Sequence, residues 1–467
     1  MAIRFFNTYS RALEEFVPRD PPHVSLYTCG PTVYSYAHIG NFRAYLFEDL
    51  LQRHLEARGY QLDRVMNLTD VDDKTIRGSR EAKMSLAEFT RPFKEAFFAD
   101  LETLRMKRAR EFPAATEPRY LARMIAMISE LMTRELAYQA DDKSVYFRIN
   151  EFPAYGALAH LNLDELRPSG RVQRDEYDKE HIGDFALWKA WDEADGEVAW
   201  DSPWGRGRPG WHIECSAMST SLLGDEIDIH CGGVDNIFPH HEAEIAQSEG
   251  VTGKKFVRYW LHCAHLLVDN QKMSKSLGNF YTLRDLLEKG WSGREVRYAL
   301  LRVHYRVPLN FTFEGMEESR QSLARIDEWL ARLRTGSASA TNEALQPSDG
   351  FESALDDDLN ISEALGYLFE SIRETNRAMD AGALDRATAQ AWLAWWEKVN
   401  TILALDEATT NPVPPGIEAI VSQRAQARLA KDFAKSDELR DELSARGWDV
   451  RDTKEGQKIT RRAGIHS

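Results

Sequence analysis

The sequence predicts an α/β protein built on a parallel sheet, interrupted by an insertion and followed by an α-helical C-terminal half with a small basic module at its end. Three observations predict it. The chain opens on a strand, helix, strand pattern, the unit of a parallel sheet: HVSLYTC ending at Cys29, a helix from about Asn41, then Gln61–Thr69. Beyond residue 310 the apolar spacing turns helical, and after the proline-rich break EATTNPVPPG at 407–416 the composition turns basic.

Each element has its own local reason. The first strand is a short apolar run closed by Gly30-Pro31-Thr32; in the helix Leu46, Leu50, Leu51 and Leu55 recur at helical spacing, with Gly59 as the stop. Gln61–Thr69 is apolar and β-branched. A helix-rich stretch runs to about 140, and a Gly-, Trp- and charge-rich region to about 210 reads as an irregular insertion. Glu226–Cys231 and Phe256–His262 read as the sheet resuming. In the second half Leu323, Ile326, Leu330 and Leu333 share one helical face, as do Ile361, Leu365, Leu368 and Ile372. A break at 335–350, TGSASATNEALQPSDG, reads as a linker, and from Arg424 the basic residues outnumber the acidic ones.

Composition bounds the function. The chain has 467 residues, enough for about three domains; 43% are hydrophobic and 28% charged, which excludes disordered and collagen-like classes. No apolar run is long enough for a spanning helix and no export signal opens the chain, so a cytoplasmic protein is expected. The net charge of −15 argues against a surface coated for non-specific nucleic-acid binding, so any polyanion must meet a local patch. The four cysteines, at 29, 215, 231 and 263, are too few for a disulfide framework and are expected to be thiols, some of them ligands.

Three constellations carry chemistry. His38-Ile39-Gly40-Asn41 sits where a strand ends and a helix begins; there free backbone N–H groups and the helix dipole favour phosphate, Gly40 admits close approach, and His38 can donate to phosphate charge. Lys272-Met273-Ser274-Lys275-Ser276, with Gly278 and Asn279 after it, is a cationic loop that can follow charge onto a leaving pyrophosphate. Cys29, Cys215, His240 and Glu244 form a donor set of thiolates, imidazole and carboxylate suited to zinc, with His240 and Glu244 at i and i+4. Spacing alone leaves open that these are buried cysteines beside an ordinary histidine.

The order H-I-G-N, insertion, K-M-S-K-S resembles the class I aminoacyl-tRNA synthetases. With Asn67-Leu68-Thr69-Asp70-Val71-Asp72-Asp73-Lys74, Asp184–Lys189, Gly210–Met218, Pro239–Glu244 and Ala430–Arg440, nearly the whole chain resembles the cysteinyl-tRNA synthetase family. The resemblance implies a Rossmann-type catalytic domain in two halves, 1–120 and 206–270, around a connective insertion at 121–205 over the acceptor end. It implies a lysine-loop and stem-contact region at 271–313, a helical bundle at 314–406 and a small basic tRNA-binding module at 417–467 that reads the anticodon. The implied chemistry is ATP-dependent activation of L-cysteine and transfer to the 3′ end of tRNA(Cys) by a monomer, with one zinc ion held by Cys29, Cys215, His240 and Glu244 and magnesium accompanying ATP. His38, Asn41, Lys272 and Lys275 are expected at the reacting phosphates, with Gly40, Gly233 and Asp235 on ATP and Thr69, Trp211 and His230 on the amino acid.

Two residues depart from the family pattern: Asn41 stands where the class motif usually ends in histidine, and Cys231 where glycine is usual. A metal suits the substrate, because packing separates cysteine from serine by only about 1–3 kcal/mol whereas a thiolate is a far better metal donor than a hydroxyl. The alternative within the same chemistry is a ligase that hands cysteine to an amino-sugar, for which the basic module has no use. A non-catalytic descendant of the fold would require a broken site, and His38, Lys275 and the four donors are intact.

Overall fold

The computed structural model describes residues 2–161, 183–274, 277–335, 345–406, 415–430, 432–446, 448–453 and 456–461. A short antiparallel pair, β1 (Arg4–Asn7) and β2 (Ala12–Glu15), leads into β3 (His23–Thr28), whose Val24, Leu26, Tyr27 and Thr28 are all buried. The helix α1 (Ile39–Ala57) returns the chain to β4 (Gln61–Met66), parallel to β3, as the strand, helix, strand pattern requires. Next come α2 (Asp73–Ala82), α3 (Leu86–Thr103) and α4 (Pro118–Thr133). Further along, α5 (Trp211–Leu223), β9 (Ile227–Gly233), α6 (Glu242–Thr252) and β10 (Val257–Cys263) complete a four-stranded, wholly parallel sheet in the order β10-β9-β3-β4. Towards their C-terminal ends its strands are buried on both faces, with polar residues such as Arg64, Asp228 and His230 buried among the apolar ones.

The expectation of an irregular insertion is corrected. Here β5 (Ala137–Gln139), β6 (Val145–Phe147), β7 (Phe185–Ala190) and β8 (Gly207–Pro209) form an antiparallel sheet in that order. Val145, Phe147, Leu187 and Trp188 of this sheet share one core with Met124 and Ile128 of α4 and with Ile213, Ala217 and Met218 of α5. Three of the four strands are only three residues long, too short for an alternation to register in the sequence. Cys231 lies in the core beside Phe47, Ile229 and Leu261, a packed thiol.

After the parallel sheet, β11 (Leu266–Val268) pairs with β12 (Gln271–Lys272) and with β13 (Leu309–Phe311), and α8 (Gly293–Leu301) lies between, preceded by α7 (Leu283–Glu288). The helices α9 (Phe313–Thr335), α10 (Gly350–Asp356), α11 (Ile361–Asp380) and α12 (Arg386–Leu403) follow. The two predicted faces, Leu323 to Leu333 and Ile361 to Ile372, are buried throughout. The linker at 335–350 falls mostly outside the described residues, as does most of 407–416.

Two compact units result, Met1–Leu283 with Gly293–Ala404, and Arg284–Ser292 with Leu405–Ser467. The second contains α13 (Pro415–Leu429), α14 (Phe433–Ala445) and the hairpin β14 (Trp448–Thr453) with β15 (Gly456–Arg461). Ile417, Ile420, Leu439, Leu443, Trp448 and Val450 make its core. Not all its basic residues face outward, since Arg424 is buried and bonds Gln457. Lys435, Arg440 and Arg446 pair with Glu438, Asp437 and Glu442 on their own helix.

Within the first unit the side of α1 is held by buried charges. The fully buried Arg297 of α8 donates to Asp49 Oδ2 at 2.6 Å, to the Leu403 carbonyl at 2.7 Å and to the Leu104 carbonyl at 2.9 Å. Burial alone would raise the Asp49 carboxyl, but the Arg297 and Arg53 guanidiniums hold it below the usual carboxylate range. Arg297→Met therefore leaves buried Asp49 with Arg53 as its remaining guanidinium partner and takes this donor from the Leu403 and Leu104 carbonyls, and is expected to lower unfolding free energy by about 3–5 kcal/mol, read by denaturant titration.

Candidate metal centre and nucleotide site

The C-terminal ends of β3, β4 and β9 face one edge of the parallel sheet, the edge at which open α/β sheets bind ligands. Cys29 follows β3 directly, Cys215 comes from the second turn of α5, Glu244 from the first turn of α6, and His240 from the wide turn Ile237–His241 before it. Their ligand atoms all lie within 4.8 Å of one another. Cys29 Sγ is 4.0 Å from both Cys215 Sγ and Glu244 Oε1, and His240 Nε2 is 3.1 Å from that same oxygen.

Without a cation this cluster is electrostatically costly. The Cys29 thiol is pushed well up by its hydrogen bond with Cys215 and by burial, and burial pushes up Cys215 and Glu244 while pushing the His240 imidazole well down. Each group is thus driven towards its neutral form, and a divalent cation reverses that preference by stabilising thiolate and carboxylate. Two sulfurs, an imidazole and a carboxylate at this separation fit zinc by softness and by number.

A row of histidines, most of them unassigned from the sequence, surrounds the cluster. His240 Nδ1 meets His212 Nδ1 at 2.9 Å, and the Trp211 ring stacks on His240 with centroids 4.4 Å apart. His230 Nε2 bonds Glu244 Oε2 at 3.0 Å and is fully buried, so it stands behind the carboxylate. His241 Nε2 lies 3.4 Å from Cys29 Sγ, its Nδ1 2.8 Å from His262 Nε2, and His262 Nδ1 2.8 Å from Thr8 Oγ1. Cys29, His230, His241 and Glu244 thus form a second close set of donor atoms sharing two members with the first. The doublet His240-His241 was the one local sign of this crowding. Glu214, also missed, is buried beside Cys215, and burial with nearby Asp70 and Asp72 drives its carboxyl well up.

The candidate nucleotide site is built on the start of α1. The Asn41 backbone N–H donates to His38 Nδ1 at 3.1 Å, and the His38 N–H donates to Asn41 Oδ1 at 3.1 Å. This reciprocal cap fixes the neutral His38 ring with its proton on Nε2 and leaves the Asn41 amide NH2 as a donor. The segment just after the lysine loop lies against the start of α1. The Ile39 N–H donates to the Tyr281 carbonyl at 3.0 Å, His38 bridges Thr282, and the Phe280 ring meets His38 edge-on at 5.2 Å. A Cβ on Gly40 would lie 2.9 Å from His38 Nδ1 and 3.1 Å from Met273 Cε, so a side chain there would press on the His38 ring. Lys272 ends β12 and is exposed, whereas Lys275 lies outside the described residues.

The remaining predicted residues fall at the same sheet edge. Thr69 is buried, donates its N–H to Pro31 O at 3.2 Å and accepts from Val33 N at 3.0 Å, closing the turn after β3. Gly233 ends β9, where a Cβ would strike the Asp235 carboxylate, and a Cβ on Gly232 would press on the His241 ring.

Residues 15–321 match the family model described as tRNA synthetases class I (C) catalytic domain, 350–405 the DALR domain, and 410–459 the cysteinyl-tRNA ligase anticodon binding domain. The chain is 50% identical to the cysteine-tRNA ligase of Chlamydia trachomatis serovar A over 98% of this chain and 99% of that one. It is 48% identical to that of Protochlamydia amoebophila, over 98% and 97%. Among solved structures, a Mycobacterium tuberculosis methionyl-tRNA synthetase with methionyl-adenylate aligns at TM-score 0.58 and 14% identity, over 82% of this chain and 88% of that one. A ternary LeuRS-tRNA-LeuAMS complex from Agrobacterium radiobacter K84 aligns at 0.59 and 12%, over 84% and 85%. These two likenesses concern the fold.

Proposed function

The chain belongs to the cysteinyl-tRNA synthetase family, and on that premise we propose how its residues divide the work of a cysteine-tRNA ligase. The enzyme joins L-cysteine to tRNA(Cys) at the expense of ATP. In the first step a cysteine carboxylate oxygen attacks the α-phosphorus, and the bond to the leaving pyrophosphate breaks. In the second a terminal ribose hydroxyl attacks the acyl carbon and AMP leaves with its bonding electrons. Transfer to an amino-sugar instead is disfavoured by the anticodon-binding match at 410–459.

The observation that carries the assignment of roles is the meeting of the α1 N-terminus with the loop at 272–282, on the sheet edge where the Cys29 cluster sits. His38 donates from Nε2, and Asn41 from its amide, to phosphate oxygens as charge builds on them. Lys272 and Lys275 follow the charge onto pyrophosphate, with magnesium accompanying the nucleotide. No side-chain nucleophile is needed, because positioning and electrostatics suffice. Gly40 keeps the space open for the nucleotide, while Gly233 and Asp235 take the adenosine side.

Cys29, Cys215, His240 and Glu244 would hold zinc, which when bound would supply Lewis acidity that favours the thiolate of the incoming cysteine. Around it Trp211 orients His240 by stacking, His230 braces Glu244, and Thr69 shapes the turn after β3. Among the described residues no helix is long and apolar enough to cross a membrane.

The test is transfer of labelled cysteine to total tRNA with ATP and magnesium, beside ATP–pyrophosphate exchange without tRNA, on protein whose zinc content is known. Charging, with about one zinc per chain, is expected. Exchange without charging would move the acceptor to a small amine, and charging by metal-free protein would remove zinc from the assignment.

A further inference from the structure

The loop that carries the lysines is closed at its base by one side chain that the roles above leave unused. The Asn279 Oδ1 accepts the Ser274 backbone N–H at 2.8 Å, and the Asn279 Nδ2 donates to the Lys272 carbonyl at 3.2 Å. One amide therefore joins the entry of the loop to its exit, using both its acceptor and its donor. Asparagine is suited to this, since its side chain offers the two functions at one short reach from the backbone.

The surrounding chain is shaped to make the closure. Gly278 has φ +67°, the left-handed region in which a side chain is strained, and a Cβ there would meet nothing within 4 Å. Conformation, and not crowding, thus accounts for the glycine: it turns the chain back so that Asn279 faces Lys272. The Leu277 N–H donates to the Ser274 carbonyl at 3.3 Å. On the far side Asn279 is continuous with Phe280, Tyr281 and Thr282, the three residues that touch His38 and Ile39. On the near side Met273 rests over Gly40. Both limbs of the loop are therefore seated on the N-terminus of α1, and Asn279 fixes one limb to the other.

We propose that Asn279 is a positioning residue of adenylate formation, tying Lys272 and Ser274 to the segment docked on His38 so that the Lys272 ammonium stands at a set distance from the nucleotide phosphates. The proposal rests on the reading of Lys272 and Lys275 as phosphate-facing groups. The benefit belongs to the step in which charge moves onto pyrophosphate, because a misplaced ammonium forfeits stabilisation of the transition state while the bound nucleotide keeps its other contacts.

The test uses the full chain with Asn279→Ala, and with Asn279→Asp, which keeps the acceptor and loses the donor, against Lys272→Ala and Lys275→Ala. Asn279→Ala is expected to lower kcat for ATP–pyrophosphate exchange by about tenfold, the effect of two lost hydrogen bonds, with KM for ATP changed less than about twofold. Asn279→Asp should lose less. Transfer of cysteine from preformed adenylate to tRNA and the thermal midpoint should stay at the unmodified values, while trypsin cuts after Lys272 several times faster. Unchanged exchange in both Asn279 variants, while the lysine variants are impaired, would overturn the proposal, as would a loss confined to KM. If the lysine variants themselves keep full exchange, it is the phosphate-facing reading that fails. Tryptic cleavage still judges the closure separately, and an unchanged rate in Asn279→Ala would refute it.

Discussion

Cys215→Ser is expected to bring zinc from about one per chain to a small fraction of that, and to lower cysteine-dependent ATP–pyrophosphate exchange by more than about 100-fold. The magnitude follows from the surroundings: altering groups that merely support a metal ligand costs 10- to 100-fold, and here a soft ligand itself is exchanged for a poor one. Serine fits the space of Cys215, which is buried against Ile245 and Tyr27, so the fold should persist. Metal content by emission spectroscopy gives a readout independent of turnover. Retention of zinc with full exchange would remove Cys215 from the ligand set. Retention of zinc in Cys215→Ser but its loss in His241→Ala would instead assign the metal to the second donor set, Cys29, His230, His241 and Glu244.

Lys275→Ala is expected to lower adenylate formation by about 10²- to 10³-fold, the range found when one preorganised donor to a transition-state charge is removed. The KM for cysteine should change little, because in the proposed division of roles the thiol meets the Cys29 cluster and the lysine acts on phosphate. Single-turnover formation of cysteinyl-adenylate, measured beside equilibrium binding of cysteine, separates the two. Equal losses in both would refute a role confined to the phosphates. Lys272→Ala should show the same pattern to a smaller degree, since Lys272 is anchored through its carbonyl to Asn279 and stands at the end of β12.

The dominance of local signals explains what was legible. The strand at His23–Thr28, the helix after it and the helical faces of the second half each depend on residues near in sequence, so periodicity found them. The three-residue strands of the insertion gave no such signal, and their pairing is set by the shared core with α4 and α5. Asn41 illustrates the same divide at the site. Its identity suggested a donor to nucleotide, and that capacity remains, but half of its amide is committed to the reciprocal cap with His38.

The sequence by itself determined which residue types were present and in what order, cysteines, His240, H-I-G-N and the lysine loop, and that order resembles the cysteinyl-tRNA synthetase family; taken singly, the spacings left ordinary structural roles open, because a buried cysteine or histidine needs no metal. Only the tertiary structure decided which histidines crowd the donors, that His230 stands behind Glu244, and that Asn279 closes the lysine loop. The seating of the loop on Gly40 joins segments more than 200 residues apart, which no local pattern encodes; the Asn279 closure spans only seven residues, but it depends on the backbone doubling back at Gly278, which residue types alone do not fix.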